Sequence, residues 1–186
     1  HMSLLRSQID RASVLALGPG LGKEAFTLEA AIAIFEYALN SGKSIVLDAD
    51  AIDAINKTQL SNPEHVVITP HAGEFERIAG VRPGILWREK LGPAKDFSLR
   101  RNCTTLLKGH HTVISDGKRI RVYTGGNPGM AKGGVGDVLT GVISGLISQG
   151  IPVFDSACAG AYILGTTGDS LLKKMGFHFV ASDFIT

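Results

Sequence analysis

The sequence predicts an α/β protein in which a largely parallel sheet lies between two layers of helices. Three observations carry this. Largely apolar four-residue runs recur at 14–17, 44–47, 65–68 and 104–107, and unbroken apolarity belongs to strands covered on both faces. Each run ends in a polar cluster rich in glycine, proline or acid. Helix-period segments follow the first three clusters, the rhythm of a doubly covered parallel sheet.

The elements follow in order. The strand at 14–17 is broken by Gly18-Pro19-Gly20-Leu21-Gly22, and a helix over 24–40 sets Phe26, Ala30, Ile34, Ala38 and Leu39 broadly on one face. Ser41-Gly42 stops it before the strand at 44–47, whose tip is Asp48-Ala49-Asp50. A short helix over 51–56 follows, with Asp50 read as its cap or as a substrate contact, the cap being favoured. The strand at 65–68 runs into Thr69-Pro70-His71-Ala72-Gly73-Glu74 and a helix reaching Ala79. Residues 81–101 are less regular, with helical turns expected around Trp87 and Phe97. The strand at 104–107 ends at Lys108-Gly109, and runs at 111–115 and 119–123 flank Asp116-Gly117, a hairpin signal that makes the sheet mixed. Helices are expected at about 138–149 and 153–175, and another begins near Ala181.

The segment from Gly126 to Gly150 organises the rest. Gly133, Gly134 and Gly136 allow left-handed backbone and close approach to a ligand. They lead into a helix with apolar positions at Val138, Leu139, Val142, Ile143, Leu146 and Ile147. Free N–H groups and the dipole at such a helix start attract an anion. Asp137 beside them would repel a phosphate unless the chemistry needs a base; its ordinary alternative is to favour the first turn. The five polar clusters, GPGLG, DAD, TPHAGE, KGHHT and GGVGD, each have such an ordinary reading. Together they fall on the rim formed by the carboxyl ends of the strands, where open α/β sheets bind ligands.

Size and composition agree. The 186 residues suit a single domain, 1–186, with 44% hydrophobic and 19% charged side chains and a formal net charge of +2. That charge and the lack of a basic stripe argue against nucleic acid and membrane partners. No apolar run is long enough to span a bilayer. Cys103 and Cys158 lack metal-ligand spacing and read as unpaired thiols of a reducing, cytoplasmic setting. His1 and Met2 read as an expression remnant.

The ordered motifs GPGLG (18–22), LDADAI (47–52), ITPHAGEFERIAG (68–80), LLKGHHTVISDG (106–117) and GNPGMAKGGVGDVLTGVISGLISQG (126–150) resemble the ADP/ATP-dependent NAD(P)H-hydrate dehydratases of the ribokinase-like superfamily. The resemblance implies a ribokinase-like α/β/α fold with its first strands missing, because family members carry strands and a helix ahead of GPGLG. It implies repair of hydrated NADH or NADPH, with ADP or ATP phosphorylating the ring hydroxyl before phosphate is lost. By resemblance Asp137 is the base, and Gly134 and Gly136 take part in catalysis with their amides. Lys108, Gly109, His110, His111, Thr112, Asn127, Gly133 and Gly136 border the adenine nucleotide. Gly20 or Gly22, His71 and Asp137 face the hydrated dinucleotide, and Glu74 holds Mg²⁺ through water. Asn127 is read equally as a nucleotide contact or a turn residue. Leu164 stands where the family usually has histidine, and no role is given to it. A homo-oligomer is implied. The alternatives are a vitamin, thiazole or sugar kinase of the same superfamily, and a nucleotide-binding fragment without catalysis.

Overall fold

The computed structural model describes residues 2–59 and 63–186; His1, read above as part of an expression remnant, lies outside them. Six strands, β1 (Val14–Leu17), β2 (Ser44–Leu47), β3 (Val66–Ile68), β4 (Thr104–Leu107), β5 (Thr112–Ser115) and β6 (Ile120–Tyr123), form one sheet in sequence order. β1 to β4 are parallel, with Val14 beside Ser44, Ile45 beside Val66 and Val67 beside Thr104. The hairpin signal at Asp116-Gly117 is realised: β5 runs antiparallel to both β4 and β6. β6 therefore points the same way as β1 to β4, and its carboxyl end opens on the same rim.

Alternation along the strands sorts the core into two layers. Ile45, Leu47, Ile68 and Leu107 face one side, where α2 (Ala25–Asn40), α3 (Ala72–Ala79) and α4 (Trp87–Arg101) contribute Phe35, Leu39, Phe75 and Phe97. Val46, Val67, Leu106 and Ile114 face the other, against α5 (Val135–Ser148) and α6 (Val153–Met175) with Leu139, Ile143 and Phe154. Phe35 and Phe75 are wholly buried, each worth about 1.5–3 kcal/mol for its transfer from water. α5 and α6 are built for close contact: a Cβ at Gly160 would collide with Ile143.

Four local expectations need correction. α1 (Met2–Arg11) precedes β1 and was not expected. It is mostly polar and exposed, with Ile9 buried, and it docks on α2 through Asp10 Oδ1, which accepts from the Tyr37 hydroxyl at 2.8 Å. Residues 87–101 form one continuous helix despite Pro93, because burying Lys90, Ala94, Phe97 and Ser98 on one side outweighs the lost ladder bond. β1 meets helices on both faces but is covered only in part: it lies at the sheet edge, Val14 and Leu15 are half-buried and Ala16 is exposed. The last turn, Ala181–Phe184, is 3-10 rather than α-helical.

Gly18 shows why the first cluster needs glycine. Its φ is +132°, and a Cβ there would overlap the carbonyl of Asp48. Gly18→Ala is expected to destabilise the protein by at least about 1–3 kcal/mol, seen as a lower urea midpoint with unchanged slope.

Candidate functional site

A cavity of about 900 Å³ opens on the carboxyl rim between β4, β6, α5 and α6. His71, Lys108, Gly109, His110, Thr112, Asn127 and Gly136, all expected at a site, line it. Gly20, Gly22, Glu74, His111, Gly133, Gly134 and Asp137 do not. The first two sit in the loop after the edge strand β1; the others adjoin lining residues in the chain.

The charge of the lining is one-sided. Arg82, Lys90, Lys108 and Lys132 line the cavity, and among the described residues no aspartate or glutamate does. Leu106, Met130, Val135, Leu139, Ala161 and Leu164 supply an apolar wall. Such a space suits a ligand with an apolar or aromatic body and several negative charges.

The glycine-rich segment reaches this cavity as a helix start. Gly134 is the cap residue of α5 with φ +86°, in the left-handed region. Among the described residues the N–H groups of Gly133, Gly134, Gly136 and Asp137 have no protein acceptor. They are unsatisfied donors at the positive end of a fourteen-residue helix. Asp137, in the first turn, is exposed and makes no ion pair among the described residues. Its carboxylate is therefore accessible and uncommitted, one residue beyond the lining residue Gly136.

Beneath that turn lies a buried polar triad that sequence reasoning missed. Asp48, 2% exposed, accepts from Lys108 Nζ at 2.9 Å and from the Thr140 hydroxyl at 3.0 Å. A Cβ at Gly136 would lie 3.6 Å from both Lys108 Nζ and Asp48 Oδ2, so the triad sits directly under the amide cradle. Asp48 stands beside Asp50 in the Asp-Ala-Asp tip, and only the packing of α5 over β2 buries it and sets it apart. Asp50 does not cap the following helix: that 3-10 segment, Ala49–Asn56, starts after Asp48, and Asp50 Oδ2 accepts from Gly22 N–H at 3.0 Å. It ties the first two clusters of the rim together.

Other residues expected at the site have partners. His71 caps α3: its Nδ1 accepts from Gly73 and Glu74 N–H, while Glu74 Oε2 accepts from His71 N–H at 2.8 Å. This reciprocal cap satisfies two sets of orphan donors. Glu74 is 8% exposed and its Oε1 lies 3.4 Å from His71 Nε2. Among the described residues no group of three or more His, Cys, Asp and Glu converges on a metal position. Glu74 lies outside the cavity lining and both of its oxygens have His71 as a partner, so the described residues form no protein cage for a cation, and one held here would be carried mainly by ligand phosphates and water. Asn127 makes its turn, with Oδ1 accepting from Gly129 N–H, and its Nδ2 donates to Asp169 of α6 at 3.1 Å. Asp169 also accepts from Gly126 N–H, and no sequence signal marked it. Lys132 donates to the Phe177 and Phe179 carbonyls at 2.6 Å. Tyr123 lines the cavity, and burial, with Asp169 adding to it, raises its phenol above the ordinary range.

Burial pushes Cys103 up to about 12 and Cys158 up to about 11. No helix among the described residues is long and apolar enough to cross a membrane.

Comparison with known proteins places the chain in a family. Residues 2–186 match the family described as NAD(P)H-hydrate dehydratase. The bifunctional NAD(P)H-hydrate repair enzyme Nnr of Pyrobaculum aerophilum is 37% identical over 185 residues, spanning 100% of this chain and 36% of that enzyme. A ribokinase-like superfamily protein of Enterococcus faecalis V583 superposes with a TM-score of 0.84 at 28% identity, covering 98% of this chain and 63% of its own. The ADP/ATP-dependent NAD(P)H-hydrate dehydratase of Bacillus subtilis, co-crystallized with ATP/Mg²⁺, gives 0.79 at 25% identity, covering 96% of this chain and 65% of its own. This chain thus spans 36% of the length of the first relative and under two thirds of the solved chains. The fold is ribokinase-like, and the match over essentially every residue shows that the chain belongs to the NAD(P)H-hydrate dehydratase family.

Proposed function

We propose that this chain dehydrates hydrated NADH and NADPH with ADP or ATP as the phosphoryl donor. The observation that carries the reading is the acid-free cationic cavity ending at free amides of α5, with an uncommitted carboxylate beside them. In this reading the adenine nucleotide lies along Lys108, Gly109, His110, His111 and Thr112, near Asn127. Its terminal phosphate meets the amides of Gly133, Gly134 and Gly136. The hydrated dinucleotide lies toward His71 and the Gly20–Gly22 loop.

The chemistry balances. Asp137 takes the proton of the ring hydroxyl while its oxygen attacks the terminal phosphorus, and the bond from phosphorus to the nucleotide breaks. The amides hold the charge on the transferring group. The ring nitrogen's lone pair then expels phosphate, and loss of a neighbouring C–H proton restores the double bond. When bound, Mg²⁺ would neutralise charge on the polyphosphate, and Glu74 would help hold it through water. A homo-oligomer in the cytoplasm belongs to the same proposal, supported by the family resemblance and the two unpaired thiols.

The test supplies NADPH hydrate, Mg²⁺ and either ADP or ATP, and follows the return of reduced nicotinamide absorbance. Recovery that needs a nucleotide is the expected result. No recovery with either nucleotide rejects the reading, and a stable phosphorylated product without elimination identifies a kinase instead.

A further inference from the structure

The four cations lining the cavity are not equivalent. Lys108 carries its own counter-charge, Asp48. Lys132 is spent on two carbonyls and lies 4.8 Å above the Phe179 ring. Arg82 is exposed, with Glu76 at 3.9 Å. Lys90, in the first turn of α4, is different. It is 4% exposed, yet among the described residues its Nζ makes one hydrogen bond, to the His111 carbonyl at 3.0 Å, and no ion pair.

An ammonium has three N–H donors, and a buried charge without a partner is unfavourable. Burial accordingly lowers the Lys90 amine below the ordinary lysine range. Its position is defined: a Cβ at Gly109 would collide with Lys90 Nζ, so the amine lies against the Gly109 backbone and faces the cavity. A bound anion would supply the missing charge and accept the unused donors. Nothing local in the sequence marks this residue, because only the docking of α4 on β4 and β5 brings it there.

The geometry points to Lys90 as a phosphate-binding residue that takes an anionic oxygen of the nucleotide's polyphosphate, a role that rests on the nucleotide placement given above. Charge-assisted hydrogen bonds of this kind correspond to about a 10–100-fold change in affinity. Gly109 is then required, since any side chain there displaces the amine.

The experiment is calorimetric titration of the protein and its Lys90→Met and Lys90→Arg variants with adenosine, ADP and inorganic tripolyphosphate. For Lys90→Met, ADP and tripolyphosphate are expected to bind about 10–100-fold more weakly, and adenosine within about twofold. Lys90→Arg should restore part of the loss. Without ligand, Lys90→Met should melt no lower than the parent, because a buried unpaired charge has been removed. Equal losses for adenosine and ADP would make Lys90 a strut for the His111 loop and overturn the inference, as would unchanged ADP affinity. If the parent binds tripolyphosphate through Lys90 but no adenosine, the nucleotide reading fails and the anion site stands. If the parent binds neither ADP nor tripolyphosphate, both fail.

Discussion

Asp137→Asn is expected to lower turnover of hydrated NADPH by about 10²–10⁴-fold while ADP affinity stays within a few-fold. An alcohol attacks phosphorus poorly unless its proton leaves during the attack; the cavity lining among the described residues holds no carboxylate, and Asp137, one residue beyond it, is exposed and without an ion-pair partner. Asparagine keeps the shape and the first-turn position but accepts no proton. That range corresponds to roughly 3–5 kcal/mol of barrier. Single-turnover rates and a separate ADP titration check it. Unchanged turnover would remove Asp137 as the base, and a parallel collapse of ADP binding would make it a binding residue. Asp137 is exposed and outside the core, so the variant should fold.

The second large effect concerns Asp48→Ala, which is expected to destabilise the protein by about 3 kcal/mol, near the lower end of the range for breaking a buried ion pair. Asp48 is 2% exposed and serves two partners, Lys108 and Thr140. Its removal strands both. The figure stays at the lower end because the Lys108 side chain is 24% exposed and keeps part of its hydration. Urea unfolding measures it. The double variant Asp48→Leu/Lys108→Met should recover much of the loss, since an apolar replacement leaves no uncompensated charge. If Asp48→Ala unfolds at the parent's midpoint, the triad is not structural. Weaker ADP binding in Asp48→Asn would place the triad's second role in aiming Lys108 at the nucleotide.

The layered fold was legible because its signals are local. Val46, Val67 and Leu106 face one helical layer and Ile45, Ile68 and Leu107 the other, an order that strand alternation alone dictates. The hairpin at Asp116-Gly117 and the full length of α6, 153–175, were equally readable. α4 was not, because Pro93 interrupts a helix that tertiary burial of Phe97 and Ala94 sustains.

The site divides in the same way. Short-range patterns marked His71, Lys108, Asn127 and Gly136, all of which line one cavity. The triad was hidden, since Lys108 and Thr140 lie 60 and 92 residues from Asp48. Asp169 meets Asn127 across 42 residues for the same reason.

The amino-acid sequence by itself determined the strand faces, the common rim and the free amides at the start of α5, since each depends on backbone preference and apolar spacing within a few residues. Only the tertiary structure decided which charges are neutralised and which are left waiting. Lys108 and Lys90 are both lysines beside the same loop, yet one is matched by Asp48 and the other by a carbonyl alone. Pairing depends on distance and desolvation across packed elements, which no single segment encodes.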